Sequence, residues 1–333
     1  MMYFCTLFDS NYISKGIALY LSLSQHTKDF AMYVMAMDRR CQDILIKIGF
    51  DKMIVACIED IVDPDLALAK ANRSRAEFCW TCGSYVTDWF LHHYELPDIT
   101  YLDSDLMFFS SPEVIFDELH NRNASVGLAP HFMNYPLFGK YCVQYVYFKN
   151  DKDGNACLRW WRDECLKWCY SRLEDGKYGD QKYLDYFADH FEHVCEIENR
   201  GAGIAYWNMN DYSFKGGKTY YNGRSWRTVF FHYSGVNVQV DNSVLSFRHT
   251  MYLTKSIRET FIEPYADLMR NVFCDYLTTP IQKIRITPLN HWGYFSKIIT
   301  HFLGKVLPLD WIIYQVMKVK YRNAHKPYSE RSV

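Results

Sequence analysis

The sequence predicts an α/β protein with a mostly parallel central sheet and helices packed on its faces. Three observations carry this reading. Short apolar, β-prone runs alternate with helix-like segments, the pattern that gives right-handed βαβ crossovers and parallel neighbours. A chain of 333 residues with 49% hydrophobic content can bury a large core. Two of the apolar runs stop at acidic turns, Asp9-Ser10-Asn11 and Asp103-Ser104-Asp105. Sheets of this kind bind ligands beyond the carboxyl ends of their strands.

Taken in order, "MYFCTLF" (2–8) reads as a buried strand closed by turn formers, and "KGIALYLSLSQHT" as the helix that follows it. "FAMYVMAM" (30–37) is a second strand, "CQDILIKIGF" a short helix and "KMIVACI" (52–58) a third strand. "SRAEFCWTCGSYVTDWFLHHY" is a long helix leading into "DITYLDSDLMFF", a strand that ends at the paired Asp. "ASVGLAP" (124–130) and "YCVQYVYFKN" (141–150) are strand-like, and "TVFFHYSG" (228–235) is another apolar strand ending in a polar turn. Between them, "ACLRWWRDECLKWCYSRLEDG" (156–176) predicts a helix with Gly176 near its end. The expected organisation is a nucleotide-binding and catalytic unit over 1–240 and a helical extension over 241–333.

Composition narrows the function classes. A net charge of −1, a pI of about 6.8 and no nucleic-acid motif argue against a nucleic-acid partner. Aromatics reach 17%, with 27 Tyr. They fit either an aromatic-rich core or a pocket that grips sugars or bases. Eleven Cys, an odd number with no signal peptide ahead of them, predict reduced thiols and a cytoplasmic protein. Cys79-Trp80-Thr81-Cys82 has no second pair at zinc-finger spacing.

The D-x-D pattern occurs three times, at Asp63/Asp65, Asp103/Asp105 and Asp151/Asp153. The first and last have turn composition and read as solvated loops. Only Asp103/Asp105 follows a buried strand and precedes another apolar run. Two carboxylates there repel unless a cation lies between them, so the pair is either an exposed turn or a divalent metal site. His232, just past an apolar strand, is either a hydrogen-bonded strand end or a third ligand. An imidazole beside carboxylates suits Mn²⁺, whereas Mg²⁺ prefers oxygen alone.

With these residues in place, the chain resembles glycosyltransferases of the GT-A fold, a Rossmann-like nucleotide-diphospho-sugar transferase architecture. Within them it resembles family 8, which includes bacterial lipooligosaccharide galactosyltransferases. Four stretches over roughly 1–240 carry the likeness. "TLFDSNYISKGIALYLSL" is similar to the family's first strand, D-x-N-Y loop and first helix. "YLDSD" is similar to its metal motif, "GDQKYLDYF" to its D-Q segment and "HYSG" to its H-x-x-G.

The resemblance implies a metal-dependent transferase moving a sugar from a UDP-sugar to a glycan or glycolipid acceptor, with retention of configuration. Asp103, Asp105 and His232 would hold Mn²⁺, or Mg²⁺, against the diphosphate. Asp9 and Asn11 would bond uracil and ribose, and Tyr12 would stack on the base. Thr6, Ser104 and Gly235 fall in the matching stretches as further donor contacts. His131 would touch the donor sugar, and Asp180 and Gln181 would face the anomeric carbon.

Two departures stand out. The family's Asn-x-Gly positions hold Cys142 and Gln144, which is expected to add bulk where the sugar lies. The Lys after H-x-x-G is missing, leaving Lys70, Arg73 and Arg75 as candidate phosphate cations. These departures keep open the alternative of a nucleotide-sugar binder that has lost turnover.

From residue 297 onward, seven Lys/Arg face two Asp/Glu, interleaved with Phe302, Trp311 and Tyr314. Such a segment fits either a helix packed on the catalytic unit or a peripheral anchor at an anionic membrane, which would favour a lipid-linked saccharide acceptor.

Overall fold

The structure, a computed structural model, describes residues 1–133, 137–249 and 252–288. The basic-aromatic segment over 297–333 therefore lies outside the described residues. No helix among those described is long and apolar enough to cross a membrane.

The first half follows the expected alternation: β1 (Met2–Phe8), α1 (Ile13–His26), β2 (Phe30–Ala36), α2 (Arg39–Ile48), β3 (Met53–Cys57), α3 (Pro64–Asn72), α4 (Arg75–His93) and β4 (Asp98–Leu102). Local chemistry sets the helix ends. Asp38 caps α2 by accepting from Cys41 N, and Gly49, at φ 70°, closes it. Ser74 and Glu77 form a reciprocal capping box on α4. Asp63 caps α3. Asp151 likewise caps α6 (Lys152–Lys167). The first and third D-x-D pairs therefore begin with helix caps rather than lying in free loops.

As expected, the strand β4 stops at the acidic pair, at Leu102 immediately before Asp103. β4 belongs to the main sheet, whereas β5 (Leu106–Phe108) joins a different one. After α5 (Glu113–Asn121) come β6 (Val126–Pro130), β7 (Tyr141–Lys149), α6, helical turns over 181–190 and β8 (Val194–Glu196). The seven-stranded sheet has the order β3-β2-β1-β4-β7-β6-β8. Its pairs are parallel except where β7 runs against β4 and β6. Strand order reverses at β1, so the ends of β1 and β4 flank the switch point where such sheets open a crevice.

Helix α6 differs from expectation. It starts at Lys152, where Asp151 supplies the cap, and ends at Lys167, nine residues before Gly176. Cys169 is nonetheless buried, packed in the same core cluster as Cys165.

A second, three-stranded sheet orders β5, β13 (Phe230–His232) and β9 (Ile204–Ala205), while β10 (Ser213–Lys215), β11 (Lys218–Tyr221) and β12 (Arg224–Arg227) form an antiparallel ribbon. After residue 240 the chain is not helical alone. β14 (Val236–Asp241) and β15 (Val244–His249) form a hairpin across the expected boundary, and β16 (Lys283–Pro288) pairs with β15. The hairpin turns at Asn242 and Ser243, both at positive φ, as type I′ turns require.

A helical run over 255–276 then packs back on the first sheets. Tyr265 stacks on Tyr233 at 3.7 Å between ring centroids, and Tyr233 donates to Phe261 O at 2.8 Å. One core cluster thus contains residues of β1, α1, β13 and this helical run.

Candidate functional site

The turn after β1 is held by its own aspartate. Asp9 Oδ1 accepts from the backbone N–H of Asn11 at 2.9 Å and of Tyr12 at 3.0 Å, an Asx turn that starts α1. Gly16 lets α1 lie against the strand end, since a Cβ there would meet the Phe8 ring at 2.3 Å. The tight approach buries Lys15, whose Nζ reaches Asp105 Oδ2 at 3.4 Å.

At the end of β4 the acidic pair sits between two sheets. β13 runs antiparallel to β5, setting His232 opposite Leu106, and Tyr233 N donates to Asp105 O at 2.9 Å. His232 Nε2 consequently lies 3.0 Å from Asp105 Oδ1 and 3.6 Å from Asp103 Oδ2. Residues more than a hundred positions apart are thus joined by strand pairing.

A third segment reaches the same point. The β6–β7 ladder skips from Leu128↔Val146 to Ala129↔Cys142. Tyr141 and Val143 share a core cluster with Val146 and Phe148, so the strand changes parity across this bulge. Bulges beside sites re-aim side chains in this way. Here it turns Cys142 toward Asp103 and His232, and donor atoms of these three residues lie within 4.8 Å of one another.

Burial and charge set the protonation of the group. Burial pushes Asp103 up to about 7, against the pull of His232. Burial would raise Asp105 too, but Lys15 and His232 outweigh it and hold that carboxyl well below the usual range. Desolvation disfavours an imidazolium at His232, yet Asp105 raises its pKa well above the ordinary value. Cys142 is pushed up by burial and brought back to about 6 by His131 and His232. Burial first and the Asp103 charge second drive Asp180 well above a normal carboxyl.

These residues open on a cavity of about 990 Å³. Of the expected site residues, it gathers Asp9, Asn11, Tyr12, Arg75, Asp103, Ser104, Asp105, His131, Asp180, Gln181 and His232. Arg75 Nη2 bonds Asp9 Oδ2 at 2.5 Å and Asp38 Oδ2 at 3.2 Å, tying the β1 turn to the start of α4. Trp207 Nε1 and Asn208 Nδ2 both donate to His131 O at 3.0 Å, holding His131 just past the end of β6. Asp180 is anchored through its carbonyl, which accepts from Trp161 Nε1 at 3.0 Å, and Gln181 Nε2 donates to Phe138 O at 3.0 Å.

Four expected residues do not line the cavity, among them Lys70, which is exposed on α3. Thr6 is fully buried in β1. Arg73 turns inward, donating to Thr81 Oγ1 at 2.5 Å and Leu166 O at 2.6 Å, because the bend between α3 and α4 aims it at α6. Gly235 lies in the turn after β13, where its neighbour Ser234 faces the space instead. Gln144 does not obstruct the cavity. It is fully buried, and a Cβ on Gly203, at φ 84°, would come within 2.9 Å of its Nε2.

Sequence reasoning missed Lys15 and the aromatic wall of Trp80, Tyr178, Tyr206 and Trp207. Lys15 had a signal, since a lone Lys in an otherwise apolar stretch, "ISKGIALYL", needs a buried anionic partner. The wall had none beyond a high aromatic content.

Fold and site together define the class: an α/β protein of the GT-A glycosyltransferase fold, with its acidic strand end at the switch crevice. The galactosyltransferase LgtC, solved with donor and acceptor sugar analogues, superposes with a TM-score of 0.51 at 13% identity, over 80% of this chain and 95% of that one. The glycosyltransferase GlyE of Streptococcus pneumoniae TIGR4 gives 0.51 at 14% identity, over 84% of this chain and 65% of that one.

In sequence, the chain is 30% identical over 262 residues to the uncharacterized protein YfnF of Bacillus subtilis (strain 168), spanning 74% of this chain and 86% of YfnF. It is 29% identical over 248 residues to YfnD of the same organism, spanning 70% and 77%. The chain belongs to the family of YfnF. No protein-family model matches it.

Proposed function

We propose that the protein is a glycosyltransferase that moves a sugar from a UDP-sugar to a hydroxyl of a glycan or glycolipid, with a divalent metal and with retention at the anomeric carbon. The observation that carries this is the approach of Asp103 and Asp105 to His232 in the lining of a cavity of about 990 Å³ at the switch crevice. Each carboxylate lies against His232 Nε2, and a donor set of two carboxylates and an imidazole suits a Mn²⁺-class ion. When bound, such an ion supplies Lewis-acid stabilisation of the departing diphosphate.

The chain's own residues supply the rest of the reading. Asp9 and Asn11 bind the nucleoside at the β1 turn, and the exposed Tyr12 ring offers a stacking face. Arg75 holds Asp9 in place and adds a cation beside the crevice. Asp180, Gln181 and His131 bound the space for the sugar. There the C1–O bond to the nucleotide breaks, the bond to the acceptor oxygen forms, and the acceptor proton leaves with the diphosphate. The transition state has oxocarbenium character, which carboxyl and amide oxygens stabilise.

Calorimetric titration of UDP with and without Mn²⁺ tests this reading. Binding that requires Mn²⁺ is expected, and Asp105→Ala should abolish it. Undiminished UDP affinity in that variant would remove the metal role.

A lipid-linked acceptor and peripheral attachment at the cytoplasmic face of the membrane rest on the basic-aromatic sequence after residue 297. Sedimentation with anionic vesicles checks them, and an unbound protein would exclude membrane attachment.

A further inference from the structure

The mutually close donor atoms at the crevice do not belong to the acidic pair and histidine alone. Among the described residues, the buried group whose donor atoms lie within 4.8 Å of one another is Asp103, Cys142 and His232. Asp105 touches His232 but is also held by Lys15. We propose that Cys142 is a ligand of the metal centre, as a thiolate beside Asp103 and His232, and that the centre therefore prefers a thiophilic divalent ion of the Zn²⁺ or Co²⁺ type over Mg²⁺. The inference rests on the metal site proposed above and concerns which residue completes it and which ion it selects.

Geometry supports the assignment in three ways. Ligands at about 2.0–2.3 Å from a tetrahedral ion stand roughly 3.3–3.8 Å apart, so the observed spread needs only about 1 Å of contraction. The three residues come from the end of β4, the bulged start of β7 and the end of β13, so each is fixed by separate strand pairing. His232 Nε2 and Asp103 Oδ2 already stand 3.6 Å apart, inside that ligand spacing.

Cys79 lines the same cavity but is not part of the cluster. A carboxylate and imidazole alone leave the choice of ion to availability. Adding a thiolate tilts the donor set toward Zn²⁺ and Co²⁺ and away from Mg²⁺.

The test is Co²⁺ titration of the full chain followed by electronic absorption. Expected for wild type are d–d bands from bound Co²⁺ together with an intense sulfur-to-cobalt charge-transfer band. In Cys142→Ser the d–d bands remain and the charge-transfer band disappears. Zn²⁺ affinity in that variant should fall by more than about tenfold, with Mg²⁺ affinity little changed.

Wild-type d–d bands without charge transfer would overturn the thiolate assignment while leaving the metal site standing. No Co²⁺ bands at all would overturn both. A charge-transfer band that persists in Cys142→Ser would assign the sulfur elsewhere, with Cys79→Ser as the check. The wild-type spectrum is decisive even if the variant fails to fold.

Discussion

Lys15 Nζ lies 3.4 Å from Asp105 Oδ2, and both side chains are almost completely buried, 9% and 13% exposed. An ion pair at that depth offsets its desolvation only while both partners remain. Lys15 thus neutralises one carboxylate of the acidic pair, and His232 serves the other side of it. Lys15→Met leaves Asp105 with His232 alone of these two partners and should destabilise the metal-free protein by up to about 3 kcal/mol. A divalent cation then replaces the missing charge, so Mn²⁺ should raise the Tm of Lys15→Met more than that of wild type. Thermal melts with and without Mn²⁺ check this. Equal Tm values for the two metal-free proteins would show that the pair contributes nothing.

On the proposed function, Asp180 would serve the chemistry and not the binding of the nucleotide. Its side chain faces the cavity with Gln181, but it lies in a different segment from the β1 turn that would hold the nucleoside. Asp180→Asn preserves shape and leaves the Trp161 bond to the carbonyl untouched. UDP affinity should be retained, while transfer falls by about a hundredfold or more, as when a positioned transition-state group is lost. Parallel calorimetry and UDP-release assays on the variant decide it. Full turnover would leave Asp180 as a structural group only.

The positions of Asp9, Asp103, Asp105 and His232 were legible because each follows an apolar strand, and strand ends are where this architecture opens. The end of β4 at the acidic pair was legible as well, but the move of β5 into a different sheet was not, since only strand pairing shows it. The inward turn of Cys142 depends on a bulge between two strands far apart in sequence, which no local pattern records. Arg73 and Arg75 are indistinguishable by composition, and the bend before α4 sends one into the core and the other to the crevice. The β14–β15 hairpin was readable in principle, from alternating "VNVQVD" and "VLSFRH" around Asn242-Ser243. The end of α6 was not, because apolar and aromatic residues continue past Lys167 and tertiary packing stops the helix.

The divergent arginines give a paired prediction. Arg75 is solvent-accessible and bonded to Asp9 and Asp38, so Arg75→Ala loosens the β1 turn without opening the core. UDP affinity should drop by about tenfold, the worth of one charge-assisted hydrogen bond, with little change in Tm. Arg73 instead joins Thr81 and Leu166 and lies over the Tyr170 ring at 5.4 Å. Arg73→Ala should cost about 2 kcal/mol of stability and leave UDP binding intact. Calorimetry and denaturant melts on both variants distinguish the roles. A binding loss in Arg73→Ala at unchanged stability would return that residue to the donor site.

Asp98, at the start of β4, makes stability depend on pH. Its Oδ1 is buried without a hydrogen-bond partner, and burial, opposed by His120 and the N-terminal amine, pushes the carboxyl up to about 6. Tyr145 and Tyr147 lie close enough to feel its charge. In the unfolded chain an Asp titrates near 3.9. The folded value is the higher one, so the native state holds the proton more tightly, and the stability this contributes is fully present below about pH 4. It is lost as pH rises through about 6, where the native state must carry a poorly solvated charge. The difference amounts to about 2–3 kcal/mol. Asp98→Asn removes the titration, so the variant should match or fall below wild type at pH 4 and exceed it at pH 8. Denaturant unfolding of both proteins across this range reads the difference directly. A gap between them that stays constant with pH would mean that Asp98 titrates normally in the folded protein.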